Sequence, residues 1–352
     1  MANSMPFAAT MPFRCGPPDG EMRAGHLRGF FELVSSYGAD PRAIMERHTI
    51  DPVAFADPDS YVDCSAAVNM LEYCAERFND RLFAKVGLFL LPVGMLNESH
   101  EPTRYYGVFR NQIETAIIPT TWREGGVQLL GSTDAGLSWN VGLTTGFNLN
   151  KWDATSQEGR ESPLGAIHQE LALASARDLS GFLALNYTGV PGLKVGASLF
   201  SGGASQGQSA LGRSRVTLWE THARWTPAQW ELSALYARGR ISDTARANLL
   251  TLGSLTPIPQ SFFGWYAEAA YRGIERGNWS LTPFLRYERF NTAASFADLG
   301  AGLTPAAARD GEAITGGVNW MIAPGVVIKA DYLNFRRGSG DNRYDLGLGY
   351  QF

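Results

Sequence analysis

LSWNVGLTTGFN, Leu137 to Asn148, alternates residue by residue: Leu137, Trp139, Val141, Leu143 and Phe147 fall on one side of an extended chain, Ser138, Asn140, Gly142, Thr144 and Asn148 on the other. Successive side chains of a strand point to opposite faces, so this stretch reads as a strand with one oily and one small, polar face. The pattern recurs from residue 81 to the end, where helical periodicity is nearly absent. Trp219, Ala223 and Trp225 oppose Glu220, His222 and Arg224; Phe263, Trp265, Ala267, Ala269 and Tyr271 oppose Tyr266, Glu268 and Arg272. Trp279, Leu281, Leu285 and Tyr287 oppose Ser280, Thr282, Arg286 and Glu288, and Val326, Ile328, Ala330 and Tyr332 oppose Lys329 and Asp331. In each quoted set the charged residues share one face, and tryptophan or tyrosine tends to close the ends of the apolar one.

About twelve strands are expected on this reading, over 82–91, 125–132, 137–148, 181–188, 193–200, 214–226, 230–238, 261–272, 279–289, 312–321, 326–335 and 343–352. Their lengths bracket the roughly 9 to 11 residues with which a tilted strand crosses a bilayer. Their connections alternate between brief ones (STDAG, VPG, TPAQ, GIERGN, IAPG) and longer ones (92–124, 149–180, 201–213, 239–260, 290–311, 336–342), the layout of an outer-membrane barrel. The expected fold is therefore all-β, an antiparallel transmembrane β-barrel preceded by a small α-helical segment. A soluble sandwich also alternates, but it seldom places aromatic residues at both ends of many strands, whereas lipid-facing strands need them at headgroup level. A helical membrane protein is excluded, because the longest apolar run, Val86 to Leu96, falls short of the roughly 18 residues a spanning helix needs.

The last ten residues, RYDLGLGYQF, put Tyr344, Leu346, Leu348, Tyr350 and Phe352 on one face and Arg343, Asp345, Gly347, Gly349 and Gln351 on the other. This resembles the terminal strand of bacterial outer-membrane proteins, and the resemblance implies that the barrel-assembly machinery reads those five residues. Phe89 to Gly131, together with ALNYTGVPGLKVGASLFSGGASQG and TPFLRYERFNT, resembles proteobacterial porins, nearest to the phosphate-selective O and P type. The resemblance spans about residues 81–352. It implies a channel in the outer membrane and names no solute, so no phosphate site is carried over. Porins of this kind carry a signal and further strands before the position matching Arg81, which leaves closure by twelve strands open.

By parity the lumen receives Lys194, Glu220, His222, Arg224, Glu268, Arg272, Arg286, Glu288, Lys329, Asp331, Arg343 and Asp345. A dedicated anion or cation pore shows one sign in excess. This mixture instead suggests a transverse field that orients small polar solutes, or simply pairs that fill a wet interior. The first long loop is charged and aromatic. Folded inward it would narrow the pore with His100, Glu101, Arg104, Tyr105, Tyr106, Arg110, Arg123 and Glu124; the alternative is a surface loop pinned by Pro102 and Pro119. A short helix near Pro163 to Ala176 is expected in the second long loop.

The first 80 residues differ. They hold 6 Lys and Arg against 12 Asp and Glu, all three cysteines (Cys15, Cys64, Cys74) and 5 of the 39 glycines, in a chain of net charge -4. Helices are expected over Ala24 to Tyr37, after Asp40-Pro41 and Asp51-Pro52, and near Ser65 to Phe78, with Val68, Leu71 and Cys74 on one stripe. Residues 21–80 resemble the start of the N-terminal effector domain of AraC-type transcription regulators, the arabinose-binding-like subgroup. Residues 1–20 read as an unstructured N-terminus without a signal peptide, having no early basic region and no apolar core. The expected arrangement is thus a regulator-like fragment fused to a porin-like barrel, possessing no DNA-reading helix pair and therefore no expected nucleic-acid partner.

Catalysis is not expected: no HExxH or P-loop occurs, His222 with Ser233 is a coincidence of composition, and Ser205 of GASQG sits in a loop rather than on a strand-to-helix elbow. No cofactor or metal is expected, since Cys64 and Cys74 lack a ligand spacing. The reading is passive diffusion of small hydrophilic solutes or ions across the outer membrane, with lipid, the assembly machinery and those solutes as partners and association into oligomers left open. The alternative is a ligand-binding regulatory fragment joined to a barrel relic.

Overall fold

The computed structural model describes residues 21–23, 30–53, 60–63, 66–67, 69–71, 73–74 and 82–351 except 172, 278 and 339. The expectations for residues 1–20, Cys64, Val68 and Phe352 lie outside the described residues. The chain divides into two compact units, Met1–Phe83 and Ala84–Phe352.

In the first unit, α1 (Phe30–Ser36) and α2 (Pro41–Arg47) form where apolar residues recur at helical spacing. Asp40 stops the extended chain before α2: its carboxylate accepts the Arg42 N–H at 2.9 Å, and Pro41 needs no donor at the first turn. Asp51 accepts from the Val53 N–H at 2.9 Å in the same way. Ala66, Ala67, Asn69 to Leu71, Tyr73 and Cys74 are helical. Phe30, Val34, Ile44, Met45, Ile50, Val62, Met70 and Cys74 bury together. A two-stranded antiparallel ribbon, Glu21–Arg23 with Tyr61–Asp63, was not expected from the sequence.

The second unit is an antiparallel meander whose main strands are β1 (Leu82–Leu90), β2 (Arg123–Ser132), β3 (Leu137–Thr144), β4 (Ser180–Tyr187), β5 (Leu193–Gly203), β6 (Arg215–Trp225), β7 (Trp230–Ile241), β8 (Ser261–Tyr271), β9 (Trp279–Ser295), β10 (Gly311–Ala323), β11 (Val326–Arg337) and β12 (Arg343–Tyr350). Each hydrogen-bonds to its sequence neighbours, and among the described residues a three-residue strand, Ile274–Arg276, pairs only with β9. The order runs from β1 to β12, and among the described residues no ladder joins these two strands. No described helix is long and apolar enough to cross a membrane.

Register fixes which residues share a face. Ser138 pairs with Asn186, Lys194 with Arg224, Glu268 with both Ser233 and Arg286, and Asp331 with both Gly317 and Asp345. The polar positions of neighbouring strands therefore line up on one face. That face wraps the segment 91–122: Trp122 meets Phe200 of β5, Ile113 and Ile117 lie against Gly264 of β8, and Thr103 reaches Gln351 beyond β12. One segment can touch β5, β8 and the end of β12 only if the sheet curls around it, as a barrel wall does.

Three local expectations are corrected. The strand expected over 137–148 ends at Thr144, because Gly146 takes φ +71, and Phe147 swings to the inner side and becomes fully buried. Among the described residues the helix expected over 163–176 is absent. A turn of helix at Glu158–Glu161 and a 3-10 turn at Gly165–Ile167 stand instead, and positive φ at Glu170, Leu171 and Leu173 keeps the chain beyond them from turning helical. Conversely, an unexpected helix, α3 (Thr244–Leu250), lies between β7 and β8.

Candidate functional site

The inner face collects the polar residues into three groups. On β4 to β6, His222 stands between Glu220 (Nδ1 to Oε2, 2.9 Å) and Asn186 (Nε2 to Oδ1, 3.0 Å). On β6 to β9, Glu231 pairs with Arg224 at 3.6 Å and with Arg272 at 3.3 Å, and Arg286 pairs with Glu268 at 3.0 Å and Glu288 at 3.1 Å. On β10 to β12, Asn319, Lys329 and Asp331 are neighbours across the ladder, and Arg343 holds Asp345 at 2.7 Å. Lys194 lies on the same face of β5, beside Arg224.

Arg272 and Arg343 stay half-exposed, but the centres of these groups are turned from open water. Glu288 is fully buried and Arg286 and Lys329 nearly so, because segment 91–122 bonds across them, and Glu220 is buried against His222. Lys329 Nζ donates to the carbonyls of Tyr105 (2.9 Å) and Gly107 (2.8 Å), and its ammonium sits 3.6 Å from the Tyr105 ring centroid. Asn319 accepts the Gly107 N–H at 3.1 Å and donates to the Tyr105 carbonyl at 3.0 Å. Asp331 accepts the Val108 N–H at 2.6 Å and Glu288 the Gln112 N–H at 2.6 Å, while Arg286 donates to the Tyr106 carbonyl at 3.2 Å. The wall's charges thus satisfy backbone groups of an irregular segment that would otherwise be buried without partners.

At its other end the segment is held by apolar contact. Trp122 stacks on Phe147 with ring centroids 5.0 Å apart and tilts against Phe200 at 4.7 Å. Leu91, Val93, Ile113, Ile117, Leu218, Leu235 and Phe262 continue this cluster. The inner face is therefore not uniformly polar, as parity alone suggested; near the long loops of β5 to β8 it is a dry core.

The residues assigned to a narrowing loop separate by position. Tyr105 and Tyr106 lie against the wall, Tyr106 stacking on Phe284 at 5.8 Å. His100 Nδ1 is 3.2 Å from the Asn97 carbonyl, and Glu101 precedes the 3-10 turn Pro102–Arg104, whose Arg104 is exposed. Arg110 donates to Thr120 (2.5 Å) and Thr121 (3.1 Å), tying the segment to itself. Arg123 and Glu124 do not belong with these. They open β2 and so point to opposite faces: Arg123 is exposed and pairs with Glu170 at 3.2 Å, and Glu124 is fully buried, accepting from Trp122 Nε1 (3.1 Å) and Thr145 Oγ1 (2.6 Å). Of the terminal-strand residues, Tyr344, Leu346, Leu348 and Tyr350 stand exposed on the outer face of β12.

Glu114 organises the segment and escaped the sequence reading. Its carboxylate accepts from the N–H groups of Met95 (2.6 Å) and Leu96 (2.7 Å), from Asn111 Nδ2 (2.8 Å) and from the Tyr266 hydroxyl (3.3 Å). Gly94 passes so close, with φ +78, that a Cβ there would lie 2.6 Å from Glu114 Oε1. Glu98 was also missed; burial pushes its carboxyl upward, opposed by the charges of Lys85 and Lys194. Alternation reports on strands, and these carboxylates lie between strands.

No family model matches the chain. An uncharacterized protein of Aquifex aeolicus (strain VF5) is 27% identical over 270 residues, covering 74% of this chain; the chain spans about 60% of that relative's length. Among solved structures, OmpF of Salmonella typhi, in a complex with daunomycin, is 17% identical over 65% of this chain and 62% of its own, with a TM-score of 0.44. A loop-deletion mutant of OmpT from Vibrio cholerae is 12% identical over 77% and 76%, TM-score 0.46. OprD of Pseudomonas aeruginosa is 14% identical over 65% and 70%, TM-score 0.33.

Proposed function

We propose that residues 84–352 form a porin-like wall in the bacterial outer membrane through which small hydrophilic solutes or ions diffuse passively, with segment 91–122 narrowing the path. The observation that carries this reading is the outer face. Val141, Leu183, Leu199 and Trp219 on the successive strands β3 to β6, Leu285 on β9 and Leu346 and Leu348 on β12 are all exposed, an apolar surface far larger than a water-facing protein keeps. Aromatic residues bound it at two levels. Trp225, Trp230, Tyr271, Trp279 and Tyr350 lie toward the short turns, with Trp230 and Tyr271 5.1 Å apart; Trp219, Tyr236, Trp265, Tyr287 and Tyr344 lie toward the long loops. Such belts mark the two headgroup levels of a bilayer.

The lining role of Lys194, Glu220, His222, Arg224, Glu268, Arg272, Arg286, Glu288, Lys329, Asp331, Arg343 and Asp345 belongs to this proposal, as do recognition of β12 by the barrel-assembly machinery and a non-catalytic role. Refolded into planar bilayers, the full chain is expected to give discrete ion currents; insertion without any current would overturn the channel. A second reading attaches to the first unit, which has its own buried cluster around Met45 and Met70: a self-standing ligand-binding module, a role that rests on the resemblance of residues 21–80 alone. Saturable binding of arabinose by the full chain, with no current, would favour it.

A further inference from the structure

The curled wall has two flanks. Among the described residues β1 pairs only with β2 and β12 only with β11, so along each flank alternate N–H and C=O groups point away from the sheet. The outer-face side chains record the same gap. Val141, Leu183 and Leu199, on strands with a neighbour at either side, are 41, 41 and 46% exposed. Tyr344, Leu346 and Leu348 on β12 are 85, 79 and 74% exposed, and Val86 on β1 is 81%. Leu88, beyond Gly87 with its φ of +121, falls to 40%, so the bare part of β1 is its first half, on the short-turn side.

Hydrocarbon offers such flanks no hydrogen-bond partner, and open sheet edges do not persist in it. Direction decides what fits them. β1 climbs from the short-turn side to the long-loop side and β12 descends, so antiparallel pairing needs an ascending strand beside β12 and a descending one beside β1. Two β12 flanks of chains inserted the same way would meet parallel, and so would two β1 flanks. A second copy in the same orientation offers β1 to β12 and β12 to β1, strands of nine and eight residues, and satisfies both flanks about one two-fold axis. With Val86 opposite Leu346 of the other copy, Lys85 lies over Gly347 and diagonal to Asp345, so the inner faces match in size and charge. Segment 91–122 stands in the way of closure within one chain. It fills the curl from Phe200 of β5 to β12, where Pro102 lies against Gly349 and Val108 against Gly347.

We propose that these flanks are an interface between copies: β1 of each chain pairs with β12 of the other, giving one barrel wall built by two chains around two copies of segment 91–122. The interface rests on the membrane-embedded reading of the outer face.

Flotation of the refolded full chain with phosphatidylcholine vesicles tests that reading first; a chain that does not float removes the reading and the interface together. Cross-linking then tests the interface alone. With Cys15, Cys64 and Cys74 changed to Ser, a Val86→Cys chain and a Leu346→Cys chain are refolded together and oxidised. A disulfide-linked species of twice the chain's mass is expected, and Val86→Cys mixed with Leu183→Cys, in the middle of the wall, should give none. A chain carrying both Val86→Cys and Leu346→Cys should also link to a second chain. An internal disulfide in that chain without linked pairs, or no link in either mixture, would overturn the interface while the floating chain keeps its membrane reading. Native mass spectrometry of the unsubstituted chain in detergent should find two copies per particle, and single copies would overturn the interface as well.

Discussion

Segment 91–122 is held at its two ends by opposite means. Around Trp122 the wall supplies rings, Phe147 and Phe200, and among the described residues no polar partner beyond Glu124. Around Tyr105 to Gln112 it supplies Lys329, Asn319, Asp331, Arg286 and Glu288, each bonded to backbone. Apolar contact is non-directional and scales with buried area, so the Trp122 end fixes where the segment sits. Hydrogen bonds are directional and lose their value once a partner loses charge or reach, so the Tyr105 end fixes the path of the backbone and is the end that charge substitutions can release.

The largest expected effect tests the apolar end. Trp122→Ala removes a fully buried indole from between two rings and should cost about 3 to 5 kcal/mol. Urea unfolding of the refolded chain in detergent, monitored by tryptophan fluorescence, would measure it. A loss below about 1 kcal/mol, within the range of an ordinary surface change, would show that the cluster is not the anchor.

The next contrast sets this inner core against the outer face. Val141→Arg places a charge on the exposed apolar side of β3 and should cost about 2 to 4 kcal/mol in phospholipid vesicles, as should Leu346→Arg on β12. Ser138→Arg, on the inner side of β3, should leave stability nearly unchanged and alter conductance. If the two faces of β3 respond alike, the assignment of inside and outside fails.

The same contrast explains what the sequence made legible. Period-two alternation located all twelve main strands, because each has one apolar face, and by the same parity the charged candidates from Lys194 to Asp345 fall on the opposite one. It missed the dry core because Phe182, Phe200, Leu218 and Leu235 are apolar on the inner face too, where parity expects polarity. It missed Phe147 because one positive-φ glycine ends the strand early, and Glu114 because its partners, Met95, Leu96 and Tyr266, are distant in the chain or carry no charge. Arg123 and Glu124 were assigned together as loop residues; strand register puts them on different faces.

The polar end gives a smaller effect on stability. Lys329→Met keeps the stem and removes the donor to two buried carbonyls, which should cost about 1 to 3 kcal/mol. Because the loss frees the Gly107 carbonyl and leaves that of Tyr105 to Asn319 alone, while Trp122 still anchors the segment, it should also change the current, raising single-channel conductance or adding flicker. A stability loss with unchanged current would mean that this stretch does not stand in the path.

The smallest effect belongs to the ion pair at the start of β2. Arg123 and Glu170 meet at 3.2 Å with both side chains well exposed, so solvent screens their attraction and ordering two long side chains offsets much of it. Arg123→Ala should therefore shift stability by less than about 1 kcal/mol, an effect that added salt should erase. It should also leave the current as it was, since Arg123 points away from the face that carries the segment. A change in conductance as large as that of Lys329→Met would move Arg123 back among the narrowing residues and would require β2 to turn its other face inward. Glu124 would then lose its buried bonds to Trp122 and Thr145, and the apolar anchor at the Trp122 end would have to be redrawn with it.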